Sequence, residues 1–244
     1  QGGALDLAGF PKDLYYLYQS QWREDLDMVH ILPHWTHPDV EEGTLIPVWV
    51  YTTGDEAELF LNGRSLGKVE KGQEWNRMQC EWQVPWEKGT LMAVAYKDGK
   101  EISRSSVRTA DAPTDFKMKI EGNVRKNSSF VTFTQVDDKG EFYPYGDNRV
   151  FVAVTNASIV SFENGNPVDV ECNWNACSRR SFYGLSRAFL KETGPQGSIL
   201  VLAGMICGDR SLKTSSKATI RIQEGVVRGK GSWKKYTIRY TTDG

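Results

Sequence analysis

The chain has 244 residues, of which 39% are hydrophobic and 25% are charged, as in an ordinary globular protein. Its 30 Lys and Arg residues nearly balance its 31 Asp and Glu residues, so the net charge is −1 at neutral pH. A nucleic-acid-binding protein normally carries a clear basic excess that neutralises phosphates, so we expect neither nucleic acid nor an anionic membrane as a partner. No apolar run reaches the roughly 20 residues of a membrane helix, so no membrane span is predicted.

Residues 1–25 differ from the rest of the chain in their hydrophobic periodicity. Leu14, Leu17, Tyr18 and Trp22 fall at helical spacing, which predicts one short amphipathic helix. The sequence offers no second amphipathic helix for this face. The helix is therefore expected either to lie against a β-sandwich or to have lost its packing partners.

Residues 26–44 are predicted to form an extended connector. His30, His34 and His37 fall at i, i+4 and i+7, a spacing that would place three imidazoles on one helix face for zinc. Because Pro33 interrupts that helix, we prefer hydrogen-bonding side chains in a docked connector, and no metal site is predicted.

From residue 45 the hydrophobic period becomes two, which predicts β-strands. Asn62-Gly63 is a strong signal for a tight hairpin, and a second turn is predicted at residues 97–100. Short strands with turns about every ten residues are typical of an immunoglobulin-like sandwich, which we assign to residues 45–110. The strand candidates are residues 46–51, 57–61, 64–69, 79–84, 91–96 and 101–109.

The strand pattern restarts after a boundary near residue 110 and predicts a second immunoglobulin-like sandwich over residues 114–223. Residues 224–244 are predicted to be a linker followed by the start of a further C-terminal module. The predicted fold class is therefore mainly β: two immunoglobulin-like antiparallel β-sandwiches preceded by one short amphipathic helix. The strand candidates are residues 116–120, 130–137, 149–155, 158–162, 198–203 and 216–222.

Four cysteines are present: Cys80, Cys172, Cys177 and Cys207. Their spacing is not that of common zinc knuckles. A disulfide is the alternative, but domains of this size do not need one, so we predict free, mostly buried thiols.

Several short motifs carry a resemblance to a known family. Residues 8–16 read Ala-Gly-Phe-Pro-Lys-Asp-Leu-Tyr-Tyr, residues 29–35 read Val-His-Ile-Leu-Pro-His-Trp, and residues 55–63 read Asp-Glu-Ala-Glu-Leu-Phe-Leu-Asn-Gly. Residues 164–167 read Asn-Gly-Asn-Pro, and Phe-Tyr-Gly follows at 182–184. These segments resemble the β-galactosidase-like glycoside hydrolases of family 2, from the last helix of the catalytic barrel through two immunoglobulin-like domains. The family's turn reads Asn-Gly-Asp-Pro, so Asn166 is a departure.

The resemblance also implies what this chain lacks. Retaining enzymes of this kind use two glutamates about 5 Å apart, and the family's acid/base stands in an Asn-Glu pair that is absent from this sequence. A barrel needs about 200 residues or more. The resemblance thus implies a non-catalytic fragment of a secreted enzyme, periplasmic or extracellular, with the parent's barrel as its partner. No catalytic residue, metal or cofactor is expected, and the oligomeric state stays open.

Three residues are candidates for contact with carbohydrate. Asp6 lies where the resemblance places the last barrel strand, and its carboxylate can accept a hydrogen bond from a sugar hydroxyl; the alternative is a turn role. Trp75 and Trp86 lie in predicted loops, where an indole can stack on a sugar, and inter-domain packing is the alternative. Trp49 and Trp82 fall on strand positions predicted to face the core.

Three functions follow from these observations. The first is a non-catalytic accessory region of a β-galactosidase-like hydrolase, which supports the barrel and contributes to the substrate rim. The second is a free-standing carbohydrate-binding β-sandwich protein, which requires an exposed aromatic platform. The third is a structural or adhesive immunoglobulin-like protein, which leaves the predicted helix unexplained.

Overall fold

The computed structural model describes residues 3–74, 76–125, 127–194, 199–207, 217–227 and 234–241. Within these residues the chain is mainly β, with antiparallel strands and the helix α1 (Asp13–Trp22). This confirms the predicted class of β-sandwich domains preceded by a short helix. The chain divides into two compact units, Gln1–Ala110 and Asp111–Gly244.

The first unit packs a three-stranded sheet, in the order β1-β2-β5, against a four-stranded sheet, in the order β4-β3-β6-β7. β1 lies within the predicted connector and pairs with β2 from Val29↔Thr52 to Leu32↔Trp49, so part of that segment is a sheet strand. The strands of this unit are β1 (Val29–Leu32), β2 (Leu45–Thr52), β3 (Glu56–Leu61), β4 (Arg64–Glu70), β5 (Cys80–Pro85), β6 (Thr90–Lys97) and β7 (Lys100–Arg108).

Both predicted tight hairpins of the first unit are present. Asn62 and Gly63 join β3 to β4 with φ angles of 51° and 81°, and Asp98 and Gly99 join β6 to β7 with φ angles of 50° and 73°. Two consecutive positive φ angles define the turn that matches strand twist, and Asn-Gly and Asp-Gly are the pairs that adopt it at least cost. Local sequence chemistry therefore sets the register next to each turn, and a bulge shifts the register farther along both strand pairs.

The core of the first unit corrects one prediction. Trp82 is buried as expected, but Trp49 is 38% exposed. On β2 the fully buried Val48 and Val50 face the core, so the intervening Trp49 must point outwards. Its cross-strand partner is Glu81, which is also exposed.

Helix α1 forms where the sequence predicts it but contacts the first unit through a different face. Trp22 is 72% exposed and Tyr18 is 38% exposed, whereas Ser20 is buried. Tyr16, one turn before Ser20, stacks on His30 of β1 with ring centroids 3.7 Å apart. Tyr16 therefore packs on β1, Ser20 lies on the buried side of the helix, and the predicted face through Trp22 is partly open.

The second unit packs a four-stranded sheet, in the order β11-β13-β9-β8, against a five-stranded sheet, in the order β12-β10-β14-β15-β16. Its core contains Phe116, Phe133 and Phe162, with ring centroids 6.0 and 5.6 Å apart in that order. The strands are β8 (Asp115–Arg125), β9 (Ser128–Val136), β10 (Arg149–Thr155), β11 (Ala157–Glu163), β12 (Ser178–Arg180), β13 (Leu185–Glu192), β14 (Ile199–Cys207), β15 (Lys217–Val227) and β16 (Lys234–Thr241).

The last strand differs from its predicted assignment. β16 pairs antiparallel with β15 from Lys217↔Thr241 to Glu224↔Lys234. It therefore extends the five-stranded sheet of the second unit, whereas the sequence assigned residues 224–244 to a linker and a further module.

The described cysteines are free, as predicted, but not mostly buried. Cys80 is buried in the first core, whereas Cys172 and Cys177 are exposed. Burial raises the pKa of the Cys80 thiol to about 11, which keeps it protonated and unreactive at neutral pH. The Cys207 side chain lies outside the described part of the molecule.

Candidate functional site

Asp6 organises the turn that precedes α1. One carboxylate oxygen, Oδ1, accepts hydrogen bonds from the backbone N–H groups of Ala8 and Phe10, at 2.9 and 2.8 Å. The Asp6 N–H in turn donates to the Phe10 carbonyl at 2.9 Å. These contacts give Asp6 a structural role in the loop, and its contact with a sugar stays a prediction.

Trp86 lies in a cluster of rings where the connector docks on the first sandwich. Its indole is partly buried against the core and meets His37 edge-on, with centroids 6.4 Å apart. Trp35 also meets His37 edge-on at 5.8 Å, is fully buried, and donates from Nε1 to the Glu87 carbonyl at 2.9 Å. This geometry is typical of packing, and sugar stacking by Trp86 stays a prediction. Trp75 lies outside the described residues.

Two histidines of this ring cluster are held neutral. Burial, reinforced by the neighbouring His37, lowers the pKa of His34 to about 4. Burial also lowers the pKa of His37, whose ring lies 5.0 Å from that of His34. His30 is separate, because it stacks on Tyr16 and its Nε2 lies 3.3 Å from the Asp13 carboxylate. The three histidines thus form one packed pair and one side chain bound to α1.

The surface around α1 exposes several apolar side chains. Tyr18 and Trp22 stack on each other with centroids 4.6 Å apart and an interplanar angle of 9°. Leu7 is 67% exposed and Leu5 49% exposed on the preceding loop. We call Leu5, Leu7, Tyr15, Tyr18 and Trp22 the α1 surface. Tyr15, Tyr18 and Trp22 fall at i, i+3 and i+7 and so share one side of α1, and a contiguous exposed apolar patch is typical of a contact surface.

The sequence did not single out Trp174, which is 67% exposed in the second unit. It lies in the loop between β11 and β12, which is braced by Arg179. This arginine is 3% exposed, lies 3.2 Å from the Asp169 carboxylate, and donates to the Glu171 carbonyl at 2.9 Å. Asn164, in the Asn-Gly-Asn-Pro turn, donates to Asp169 at 2.7 Å. The loop that carries the exposed indole is thus held by buried polar contacts.

Carboxylate oxygens of Asp111, Asp137 and Asp138 lie within 4.8 Å of one another. The Asp137 carboxylate is already used, because Oδ1 accepts from the backbone N–H groups of Lys139 and Glu141 at 2.9 Å and Oδ2 accepts from that of Asp111 at 3.0 Å. The Lys139 ammonium lies 3.3 Å from Asp111 and supplies a positive charge. We therefore interpret this cluster as a braced turn.

Comparison with known proteins places these features in a family. A family model described as a domain of unknown function (DUF4982) matches residues 43–103. A putative β-glucuronidase of Formosa agariphila is 47% identical over the whole chain, and the β-galactosidase BoGH2A of Bacteroides ovatus is 35% identical over 82% of it. The chain spans 24% of each of these relatives. A crystal structure of a glycosyl hydrolase family 2 member from Bacteroides cellulosilyticus covers 98% of this chain and 32% of its own, with 25% identity and a TM-score of 0.72.

The chain is homologous to one segment of family 2 glycoside hydrolases. The resemblance seen in its motifs is thereby confirmed. No helix in the described part of this family 2 segment is long and apolar enough to cross a membrane.

The motifs that carried the resemblance have structural roles in this family 2 segment. Residues 9–13 form the end of the Asp6 turn and the start of α1. Asn164 accepts from the Asn166 N–H at 2.9 Å and donates to the Arg180 carbonyl at 3.0 Å, which closes the turn. Gly184 has a φ of 77°, and a Cβ there would collide with the Tyr143 carbonyl oxygen. These motif residues are therefore explained by turns and close packing.

Proposed function

We propose that this chain is a non-catalytic, C-terminal accessory region of a β-galactosidase-like hydrolase that acts on O-glycosidic bonds. The observation that carries the proposal is a match over the whole chain to a segment that makes up only 24% of a curated relative. The missing Asn-Glu pair supports it, because the family's acid/base stands in that pair. The sandwiches would support the barrel and the rim of the substrate site.

The α1 surface is the face that we assign to contact with the barrel. Trp22 and Leu7 are 72% and 67% exposed, and burial of such side chains contributes about 1.5–3 kcal/mol each. Trp and Tyr are enriched at the centres of protein contacts, and Trp22 stacks on Tyr18 on this surface. We place the parent protein in the periplasm or outside the cell, in line with the family resemblance.

The purified chain is expected to hydrolyse neither aryl β-galactosides nor aryl β-glucuronides. Without a pair of carboxylates across a scissile bond, neither acid catalysis nor a glycosyl-enzyme intermediate is available. The measurement is release of the chromogenic aryl group by the folded chain, against buffer and against a family 2 enzyme as a positive control. Hydrolysis that co-purifies with the chain through several columns would contradict the proposal.

A further inference from the structure

The outer face of the β11-β13-β9-β8 sheet carries a row of aromatic rings. Alternation along the strands places Phe162 and Ala188 in the core, so their neighbours Ser161 and Phe189 point outwards. Strand register sets Ser161 opposite Phe189, and Phe189 opposite Phe130. An isolated bridge then sets Trp174 opposite Ser161. Directly opposed residues share a face, so Trp174, Ser161, Phe189 and Phe130 form one row across the strands.

The row extends across several strands and is long enough for an extended ligand. Neighbouring strands lie about 4.8 Å apart, so three steps from Trp174 to Phe130 span roughly 14 Å. The rings of Phe130 and Phe189 are 6.0 Å apart at an interplanar angle of 49°. Trp174 is largely exposed and the two phenylalanines are partly exposed, so all three rings border solvent.

A second row of polar side chains runs beside the rings. Register sets Glu163 opposite Arg187, and Arg187 opposite Thr132. The Asn173 amide donates to the Glu163 carboxylate at 2.6 Å, and Arg187 Nε donates to the Thr132 hydroxyl at 3.1 Å. The Arg187 guanidinium also lies over the Phe130 ring, 4.6 Å from its centre, and covers one face of that ring. Donors and acceptors are thus fixed next to the aromatic row along its length.

The backbone that carries Trp174 is fixed to the sheet. The Phe162 N–H donates to the Asn173 carbonyl at 2.9 Å, and the Asn175 N–H donates to the Val160 carbonyl at 3.0 Å. These two bonds flank the Ser161–Trp174 pair, which is the close, non-hydrogen-bonded kind of antiparallel pair. The backbone at Trp174 is therefore ordered before any ligand arrives, which reduces the entropy lost on binding.

We propose that this face binds an oligosaccharide that lies across the strands, with its pyranose rings stacked on Trp174 and Phe189 and its hydroxyls hydrogen-bonded to the polar row. A sugar has both an apolar C–H face and a rim of hydroxyl groups, and this surface offers a matching group for each. The core of a protein contact site is depleted of acidic residues, whereas here the Glu163 carboxylate stands beside the aromatic row. The choice of carbohydrate as the ligand class rests on the proposed function.

The test is calorimetric titration of the chain with three probes: a neutral β-glucan hexasaccharide, a β-galactan hexasaccharide and an oligo-uronate. We expect at least one probe to bind. Trp174→Ala should weaken that binding by about tenfold or more, as expected for an exposed anchor tryptophan. Trp174→Phe, which keeps a ring, should retain most of the affinity. Trp22→Ala, which removes an equally exposed tryptophan from the first unit, should leave the affinity unchanged.

Circular dichroism of each variant establishes whether it is folded. We expect the Trp174 variants to fold, because the Trp174 side chain is 67% exposed. The absence of binding by all three probes overturns the proposal, and so does binding that Trp174→Ala leaves intact. A self-association that excludes the saccharides and that Trp174→Ala abolishes also overturns it, in favour of a protein contact. Because titration measures binding and not hydrolysis, its outcome is independent of the assay that tests the accessory role.

Discussion

Replacing Trp35 by alanine is expected to lower the free energy of unfolding of the first unit by about 3–5 kcal/mol. The Trp35 side chain is fully buried and packs with His37 and the core of the first sandwich. Its Nε1 donates to the Glu87 carbonyl, which would lose its partner in the variant. The substitution therefore leaves both a cavity and an unsatisfied polar group under the docked connector.

Urea unfolding monitored by far-ultraviolet circular dichroism measures this change. Trp22→Ala is the matched control, because Trp22 is 72% exposed and its loss should change the stability by no more than about 0.5 kcal/mol. Equal stability of the two variants would show that the connector is not anchored by Trp35.

The stability of the first unit is expected to fall as the pH is lowered from about 6.5 to about 4. The folded-state pKa of His34 is about 4, below its ordinary value of 6.5, so the unfolded chain binds a proton over this range and the folded chain does not. Stability from this group is complete above pH 6.5 and is lost as the pH falls to 4. The full shift corresponds to about 3 kcal/mol, and partial exposure to solvent reduces this to about 1–2 kcal/mol.

Urea midpoints of the chain and of His34→Asn, measured at intervals between pH 7.5 and pH 4, test this prediction. Asparagine keeps a side-chain acceptor near the Thr36 N–H, which donates to His34 Nδ1 at 3.3 Å, but it does not titrate. The variant should lose less stability than the parent chain over this range. The same loss in both proteins would mean that other groups cause the pH dependence.

The parts of the fold that the sequence predicted are those that local chemistry determines. Asn62-Gly63 and Asp98-Gly99 form tight turns because both positions need positive φ angles, which these residues tolerate. β5 was predictable because apolar and polar residues alternate along its sequence, and the structure buries every second residue of 80–85. α1 was visible from its helical spacing and lies within the predicted residues.

The parts that the sequence did not predict depend on tertiary contacts. β13 was missed because Ser186 and Arg187 interrupt its apolar pattern, although Ser186 is fully buried. Trp49 was assigned to the core because both faces of β2 carry apolar residues, and alternation alone cannot decide between them. β16 was assigned to a further module because the sequence before it is rich in glycine, which is typical of a linker. Its pairing with β15 is not visible in the sequence.

The candidate surfaces show the same division between features that local sequence determines and features that tertiary contacts determine. Motifs such as residues 9–13 and 164–167 identify the family, and the structure gives them roles in turns. Trp174, Phe189 and Phe130 are far apart in sequence, and only strand register brings them into one row. A signal for Trp174 was present in its setting between Asn173 and Asn175, since a polar segment of this kind favours a loop and loops lie on the surface.

The most direct test of the accessory role is immunodepletion of the native source with an antibody raised against this chain. We predict that depletion removes a β-galactosidase or β-glucuronidase activity, and that the captured band is larger than 27.5 kDa by at least a barrel of about 250 residues. A captured band at 27.5 kDa, with both activities left in the extract, would contradict the account and identify the chain as a protein that functions without a hydrolase.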